Sequence, residues 1–217
     1  WRGYEEFAWG ADELLPSSNS SRDNWGGIAI TLLDGLDSLI LMLSAESPQY
    51  QRARAWLERE LPARLSADVD VNFFEVTIRG LGGLLSAHTL TGDRALLALA
   101  EQLGRALLPA FGSPSGIPYC SVNLASGAAT CPDSDFGQSI PLAEAGSVQL
   151  EFAALAAALG EPALAAPADA ALEKLAALAA ADGLPPTRVR VASASPACRE
   201  RSFGAGADSY YETLLKR

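Results

Sequence analysis

Lysine occurs only twice in these 217 residues, at Lys174 and Lys216, and the formal net charge is −10. With no basic patch interleaved with aromatics, that balance argues against nucleic acid or an anionic membrane surface as partner. Histidine occurs once, as His88, and cysteine three times, as Cys120, Cys131 and Cys198. No CxxC pair exists, and one histidine cannot complete a Cys/His zinc cluster. A Ser/His/Asp hydrolase is disfavoured as well, because Gly112-Ser113-Pro114-Ser115-Gly116 puts proline where the GxSxG elbow needs its nucleophile. No P-loop, full GxGxxG or EF-hand loop can be read. The apolar run Ile28 to Leu43 is interrupted by Asp34 and Asp37, short of the ~18 apolar residues that span a bilayer. The chain opens at Trp1 without an initiator Met, so any leader or membrane anchor is expected in upstream sequence.

What is present is enough apolar material for a sizeable core, 49% hydrophobic residues against 19% charged. Helical periodicity runs over Arg2 to Leu14, Ile28 to Ser44, Gln49 to Leu61, Phe74 to Leu90, Arg94 to Leu107, Leu142 to Leu159, Pro162 to Ala181 and Asp208 to Lys216. Val69-Asp70-Val71-Asn72-Phe73 alternates like a short strand but is read as the lead into the next helix. Glycine or polar turns join neighbouring helices into loosely repeating hairpins. Two long irregular stretches, Gly112 to Ser139 and Gly183 to Gly206, are of the kind that carries function. The expected architecture is all-α, one domain over residues 1–217, with the hairpins forming part of a closed toroid.

Two features bear on cellular setting. Cys120 and Cys131 bracket a Ser/Gly/Ala/Asn-rich loop suited to a short disulfide, which leaves Cys198 over. Asn19-Ser20-Ser21 is an N-glycosylation sequon in a polar loop. Both fit an oxidising secretory compartment.

The segment Phe73-Phe74-Glu75-Val76-Thr77-Ile78-Arg79-Gly80-Leu81-Gly82-Gly83-Leu84-Leu85 carries the most information. Glu75 and Arg79 stand i,i+4 and share a helical face. Apolar neighbours disfavour the ionised carboxyl while the guanidinium favours it, the tension that tunes a catalytic acid. Each interior glycine costs about 1 kcal/mol relative to alanine, so three of them imply a close backbone approach. Other acids sit at helix starts or on apolar faces: Asp12-Glu13, Asp34 and Asp37, Glu144 and Glu151 seven residues apart, and Asp208 before Ser209-Tyr210-Tyr211-Glu212. Singly, each reads as a cap or a satisfied buried acid. Together, acids and aromatics at inner-helix ends describe a carbohydrate site, and glycoside hydrolysis needs paired carboxyls. His88, near the polar end of an apolar helix, reads as a packing residue.

Several blocks resemble glycoside hydrolase family 47, the class I α-1,2-mannosidases. They are Ala8-Trp9-Gly10-Ala11-Asp12-Glu13-Leu14, Leu32-Leu33-Asp34-Gly35-Leu36-Asp37-Ser38-Leu39, Val71 to Ala87, Gly116-Ile117-Pro118-Tyr119, Leu142-Ala143-Glu144, Gln149-Leu150-Glu151-Phe152 and Gly204 to Glu212, in family order along the whole chain. The resemblance implies an (αα)7 barrel of which this chain is the N-terminal portion. It implies calcium-dependent, inverting exo-hydrolysis of α-1,2-linked mannose on high-mannose N-glycans of glycoproteins, by a monomer in the endoplasmic reticulum or Golgi lumen, or secreted. By the same resemblance Glu75 is the acid that protonates the leaving oxygen and Asp208 a second catalytic carboxylate. Arg79 and Glu144 are substrate-binding. Asp12, Glu13, Asp34 and Asp37 are read as structural.

Two departures from the family pattern qualify this. Gly206 stands where some members carry a large branch-selecting residue, which points to a roomier pocket. The chain also stops at Arg217, before the usual base and the threonine that anchors calcium. No metal ligand is therefore assigned in this chain, and these residues alone are expected to be inactive. The alternative function is a mannosidase-like glycan-binding or glycoprotein quality-control protein; a helical interaction scaffold is a third reading.

Overall fold

The computed structural model describes residues 1–179 and 183–217. They form two compact units, the first comprising Trp1–Ala106 with Asn123–Ser126 and the second Leu107–Val122 with Gly127–Arg217.

The first unit is built on helices. Helix α1 (Arg2–Phe7) ends well short of Leu14, and the chain turns into an antiparallel hairpin of β1 (Glu13–Leu15) and β2 (Ser20–Arg22). The expected helix fails there because Gly10 takes φ +79° and Asp12 is wholly buried as an acceptor of backbone N–H groups. Trp56 closes over Gly10, where an added Cβ would lie 2.5 Å from its ring.

Helix α2 (Ile30–Leu43) buries Leu32, Leu33, Leu36 and Leu39 along one stripe, as an amphipathic period requires. Its neighbour α3 (Pro48–Arg64) starts on Ser47, whose hydroxyl accepts from Tyr50 N–H at 3.3 Å, with Pro48 at the first helical position. The alternating stretch before Phe73 does form a strand, β3 (Asp70–Asn72). It passes without a loop into α4 (Phe73–Glu75), a π-helical turn Val76–Leu81 and α5 (Gly82–Thr91). Gly92, at φ +71°, ends α5 by donating its N–H to His88 O. The His88 ring lies 2.8 Å from Asp93 O in the same turn, so the histidine packs locally. Helix α6 (Arg94–Leu107) completes the pair with α5.

Glycine explains the contact between α2 and α5. A Cβ on Gly83 would fall 2.1 Å from Leu33 O, and one on Gly80 3.2 Å from the Leu103 side chain. At Gly83 the two backbones approach to a separation that only glycine permits, while Gly80 lies against Leu103 of α6.

In the second unit Ser121 and Val122 of β4 (Ser121–Asn123) pair antiparallel with β5 (Ala129–Thr130). The Cys120–Cys131 disulfide joins the ends of that hairpin. A further sheet runs β6–β7–β8, from Ser139–Pro141, Arg188–Arg190 and Ser195–Pro196. These short sheets qualify the all-helical expectation. Its helices are α7 (Leu142–Ala145), α8 (Gln149–Leu159), α9 (Ala166–Ala176) and α10 (Asp208–Lys216). Their core gathers Ile117, Ile140, Leu142, Leu175, Val189 and Tyr210.

The single helix expected over Leu142 to Leu159 breaks between Ala145 and Gln149. Tyr210 packs against Gly146, where an added Cβ would lie 2.4 Å from its ring, so docking of α10 overrides the local periodicity. By length and composition alone 142–159 could cross a membrane, a candidate the apolar-run reading missed, but 56% of it is buried inside the protein. That is the profile of a core segment. The expected helix Pro162 to Ala181 is a 3-10 turn at Pro162–Leu164 followed by α9, and its last two residues lie outside the described ones.

Gly83→Ala is expected to destabilise the protein by about 3 kcal/mol, the upper range for forcing extra volume into a packed contact. The urea midpoint measures it. A midpoint within experimental error of the parent would mean that α2 and α5 do not approach as described.

Candidate active site

In the first unit the site begins with a cap. Asn72 Oδ1 accepts the Glu75 N–H at 2.8 Å, which starts the helix at the end of β3. Phe73, Val76 and Thr77 are buried and anchor this turn. The Thr77 hydroxyl donates to Phe73 O at 2.7 Å. Glu75 is thus held on a fixed backbone with its side chain 22% exposed. Arg79 Nε donates to Glu75 Oε2 at 2.6 Å, and its Nη1 lies 3.3 Å from Asp34 Oδ2 on α2. The Glu75 hydrogen bond, followed by the charges of Glu75 and Asp34, holds the guanidinium more firmly protonated than usual. Asp34, read from sequence as structural, is therefore the third member of this cluster. The sequence signal was its spacing from Asp37, but nothing local says that α2 and the π-turn meet.

Three further acids keep to structural work. Asp12 accepts the N–H groups of Trp25, Gly27 and Ile30 at 2.8, 2.8 and 3.1 Å. Since Ile30 opens α2, Asp12 caps that helix from 18 residues away, in place of the left-handed Ala29 that precedes it. Asp37 Oδ2 accepts from the Ser86 hydroxyl at 2.9 Å, which ties α2 to α5. Glu13 is held down at about 2, chiefly by Arg22 and then by the Trp25 indole N–H, on the hairpin.

The second unit holds Glu144 and Asp208. Glu144 lies half-buried in α7, and Asp208 is exposed at the first position of α10. Their helices pack together. Ala143 N–H donates to Gly206 O at 2.9 Å, and the Ser147 and Ser209 hydroxyls are 2.9 Å apart. Asp208 Oδ1 accepts only the neighbouring Ser209 N–H at 2.9 Å among the described residues, which leaves Oδ2 open to a ligand. Gly206 has φ +85° and open space where a Cβ would stand. Its glycine is thus required by backbone conformation as well as leaving room.

Glu151 on α8 was grouped with Glu144 by sequence, and the structure separates the two. Seven residues from Glu144, it shared a face only on an unbroken helix, and the break before Gln149 removes that relation. Its Oε2 is buried with no hydrogen-bond partner among the described residues. Burial pushes the carboxyl up to about 7.

Calcium needs six to eight oxygen ligands. Among the described residues no three His, Cys, Asp or Glu side chains converge on a point, so the groups present do not make up a calcium cage.

Residues 1–217 match the family described as Glycosyl hydrolase family 47. The chain is 41% identical over 216 residues to the mannosyl-oligosaccharide 1,2-alpha-mannosidase MNS1 of Arabidopsis thaliana, covering 100% of this chain and 38% of that protein. It is 42% identical over 220 residues to the human endoplasmic reticulum mannosyl-oligosaccharide 1,2-alpha-mannosidase, covering 100% of this chain and 30% of that one. Its structure superposes on the alpha-1,2-mannosidase from Trichoderma reesei with a TM-score of 0.87 at 29% identity, over 100% of this chain and 47% of that chain. The chain thus spans less than half the length of each of these proteins.

The raised Glu151 carboxyl has a consequence for stability. In the unfolded chain this group ionises near 4.5, whereas the folded protein holds its proton to about 7. Stability is therefore undiminished below pH 4.5 and falls as pH rises through 7, where folding must bury the charge. Glu151→Gln is expected to abolish that fall, leaving the variant about 2–3 kcal/mol more stable than the parent at pH 8 and equal to it near pH 4. Urea unfolding across that range measures it. Parallel pH profiles for the two proteins would contradict the assignment.

Proposed function

Because the chain belongs to glycosyl hydrolase family 47, we propose that it forms the first part of the catalytic domain of an α-1,2-mannosidase. In this reading its hairpins α2–α3, α5–α6 and α8–α9 belong to an (αα)7 barrel. Its substrate is the high-mannose N-glycan of glycoproteins in the secretory pathway, trimmed one terminal mannose at a time. The observation that carries the reading is the Glu75–Arg79–Asp34 cluster. A capped, partly exposed carboxylate at 2.6 Å from a guanidinium is not there for stability, since such a pair contributes only about 0.5 kcal/mol.

Glycosidic cleavage with inversion requires one carboxyl to protonate the leaving oxygen and another, about 6.5–9.5 Å away, to activate water on the opposite face of the sugar. Glu75 takes the first role, delivering its proton to the glycosidic oxygen directly or through one water. Arg79, braced by Asp34, holds the Glu75 carboxyl in position and offers its remaining N–H groups to sugar hydroxyls. Asp208 supplies a second carboxylate that strengthens the reaction field, and Glu144 accepts hydrogen bonds from the glycan. A calcium ion, which the family resemblance implies, would supply Lewis-acid contact to sugar hydroxyl oxygens; the residues of this chain supply acid, orientation and contacts.

Two measurements test the reading. In a protein carrying the full catalytic domain, Glu75→Gln is expected to lower kcat by roughly 10²–10⁴-fold, with KM changed far less because the amide keeps the carboxyl's shape. Asp208→Asn is expected to lower kcat too. An unchanged kcat for Glu75→Gln would remove it from the mechanism.

Residues 1–217 by themselves are expected to release no mannose and to gain no Tm from added calcium. No acid among the described residues is assigned as the opposing base, and the ion has no cage among them. Calcium-dependent release of mannose by this chain alone would show that both are present after all.

A further inference from the structure

Asn19-Ser20-Ser21 is the chain's sole Asn-x-Ser/Thr triplet, and nothing in the proposed catalytic role uses it. The structure places it at the tip of the β1–β2 hairpin. Leu15 pairs with Ser20, so residues 16–19 form the connecting turn. Residues 16 to 22 are all exposed. Asn19 takes φ +49°, in the left-handed region that asparagine tolerates better than most side chains. The Ser18 and Ser20 hydroxyls, 2.7 Å apart, brace the turn beside it.

The conformation alone accounts for an asparagine at position 19, but not for a hydroxyl at position 21. Ser21 lies in β2 opposite Leu14, exposed, and its hydroxyl makes no hydrogen bond among the described residues. The fold thus draws on the backbone of residue 21 and makes no use of its hydroxyl. The feature that completes the sequon is therefore free of structural duty, and the asparagine amide stands where a bulky polar addition displaces no packed atom. The Cys120–Cys131 disulfide in the other unit fits the oxidising compartment in which such additions are made.

We propose that Asn19 is an acceptor for an N-linked glycan. The donor is an oligosaccharide carried on a lipid pyrophosphate. The Asn19 Nδ2 forms a bond to the anomeric carbon of the first sugar as that carbon's bond to the pyrophosphate oxygen breaks. The electron pair leaves with the lipid pyrophosphate, and one amide proton passes to a base of the transferase. Nothing is oxidised or reduced. The inference takes its setting from the secretory reading above, so its test must separate the two.

The whole chain is expressed in eukaryotic cells behind a leader that delivers it to the secretory lumen, which separates the competence of Asn19 from the protein's own address. Formation of the Cys120–Cys131 disulfide, read by thiol alkylation, reports arrival in the oxidising lumen. The expected result is a single mass increment of one core oligosaccharide, removed by an endoglycosidase or amidase specific for N-glycans and mapped to Asn19 by peptide mass spectrometry. Ser21→Ala is expected to abolish the increment with the unfolding midpoint unchanged, since that side chain is exposed and makes no hydrogen bond among the described residues. Asn19→Asp keeps a residue suited to the left-handed turn and removes the reacting nitrogen; it too is expected to lose the increment. A disulfide-bonded chain whose Asn19 is unmodified overturns the proposal, as does an increment that survives Ser21→Ala.

Discussion

The close approach of α2 and α5 at Gly83 is the constraint on which the first unit depends. With Leu33 O lying where a Cβ would be, the two helices fit at one separation and one relative register. That register brings Asp34 of α2 to 3.3 Å from Arg79 and Asp37 within hydrogen-bonding distance of Ser86. Three glycines cost about 1 kcal/mol each in helical propensity, far more than the exposed ion pair could return. The buried leucine stripe of α2 and the packing of Leu84 and Leu85 on α5 offset that cost.

The acids fall into two populations. Asp12 is consumed by the fold: every oxygen it has is committed to backbone N–H groups or to Thr31, and it caps α2 across a long stretch of chain. Asp37 and Glu13 are similarly committed to neighbours in their own unit. Glu75, Asp34 and Asp208 stand on helical starts or faces with their side chains partly or largely exposed. Carboxylates held stiffly yet left with spare acceptors suit a ligand rich in hydroxyl groups. Glu151 belongs to neither set, since it is buried with an unmet oxygen and lowers stability at alkaline pH.

Much of this was legible in the sequence because periodicity records burial. The bounds of α2, α3, α6 and α10 follow from their leucine and alanine spacing, and the Cys120–Cys131 pairing from the loop between them. The glycine run announced a close approach, though it could not name Leu33 as the partner. The failures share a cause, namely tertiary contacts overriding a local pattern. Trp56 and Asp12 convert the second half of an expected first helix into a turn and a strand. Tyr210, far along the chain, interrupts 142–159 at Gly146. Asp34 was read as structural because its partner Arg79 lies 45 residues away. The grouping of Glu75 and Arg79 was readable because an i,i+4 pair needs no knowledge of the fold.

The π-turn at Val76–Leu81 sets the angular phase of helix α5. An α-helix advances about 100° per residue, and a wider turn absorbs roughly one residue without progress around the axis. The face carrying Glu75 and the face carrying Gly83 are consequently offset from where an uninterrupted helix would put them. One face presents an acid while the other lies flat on α2.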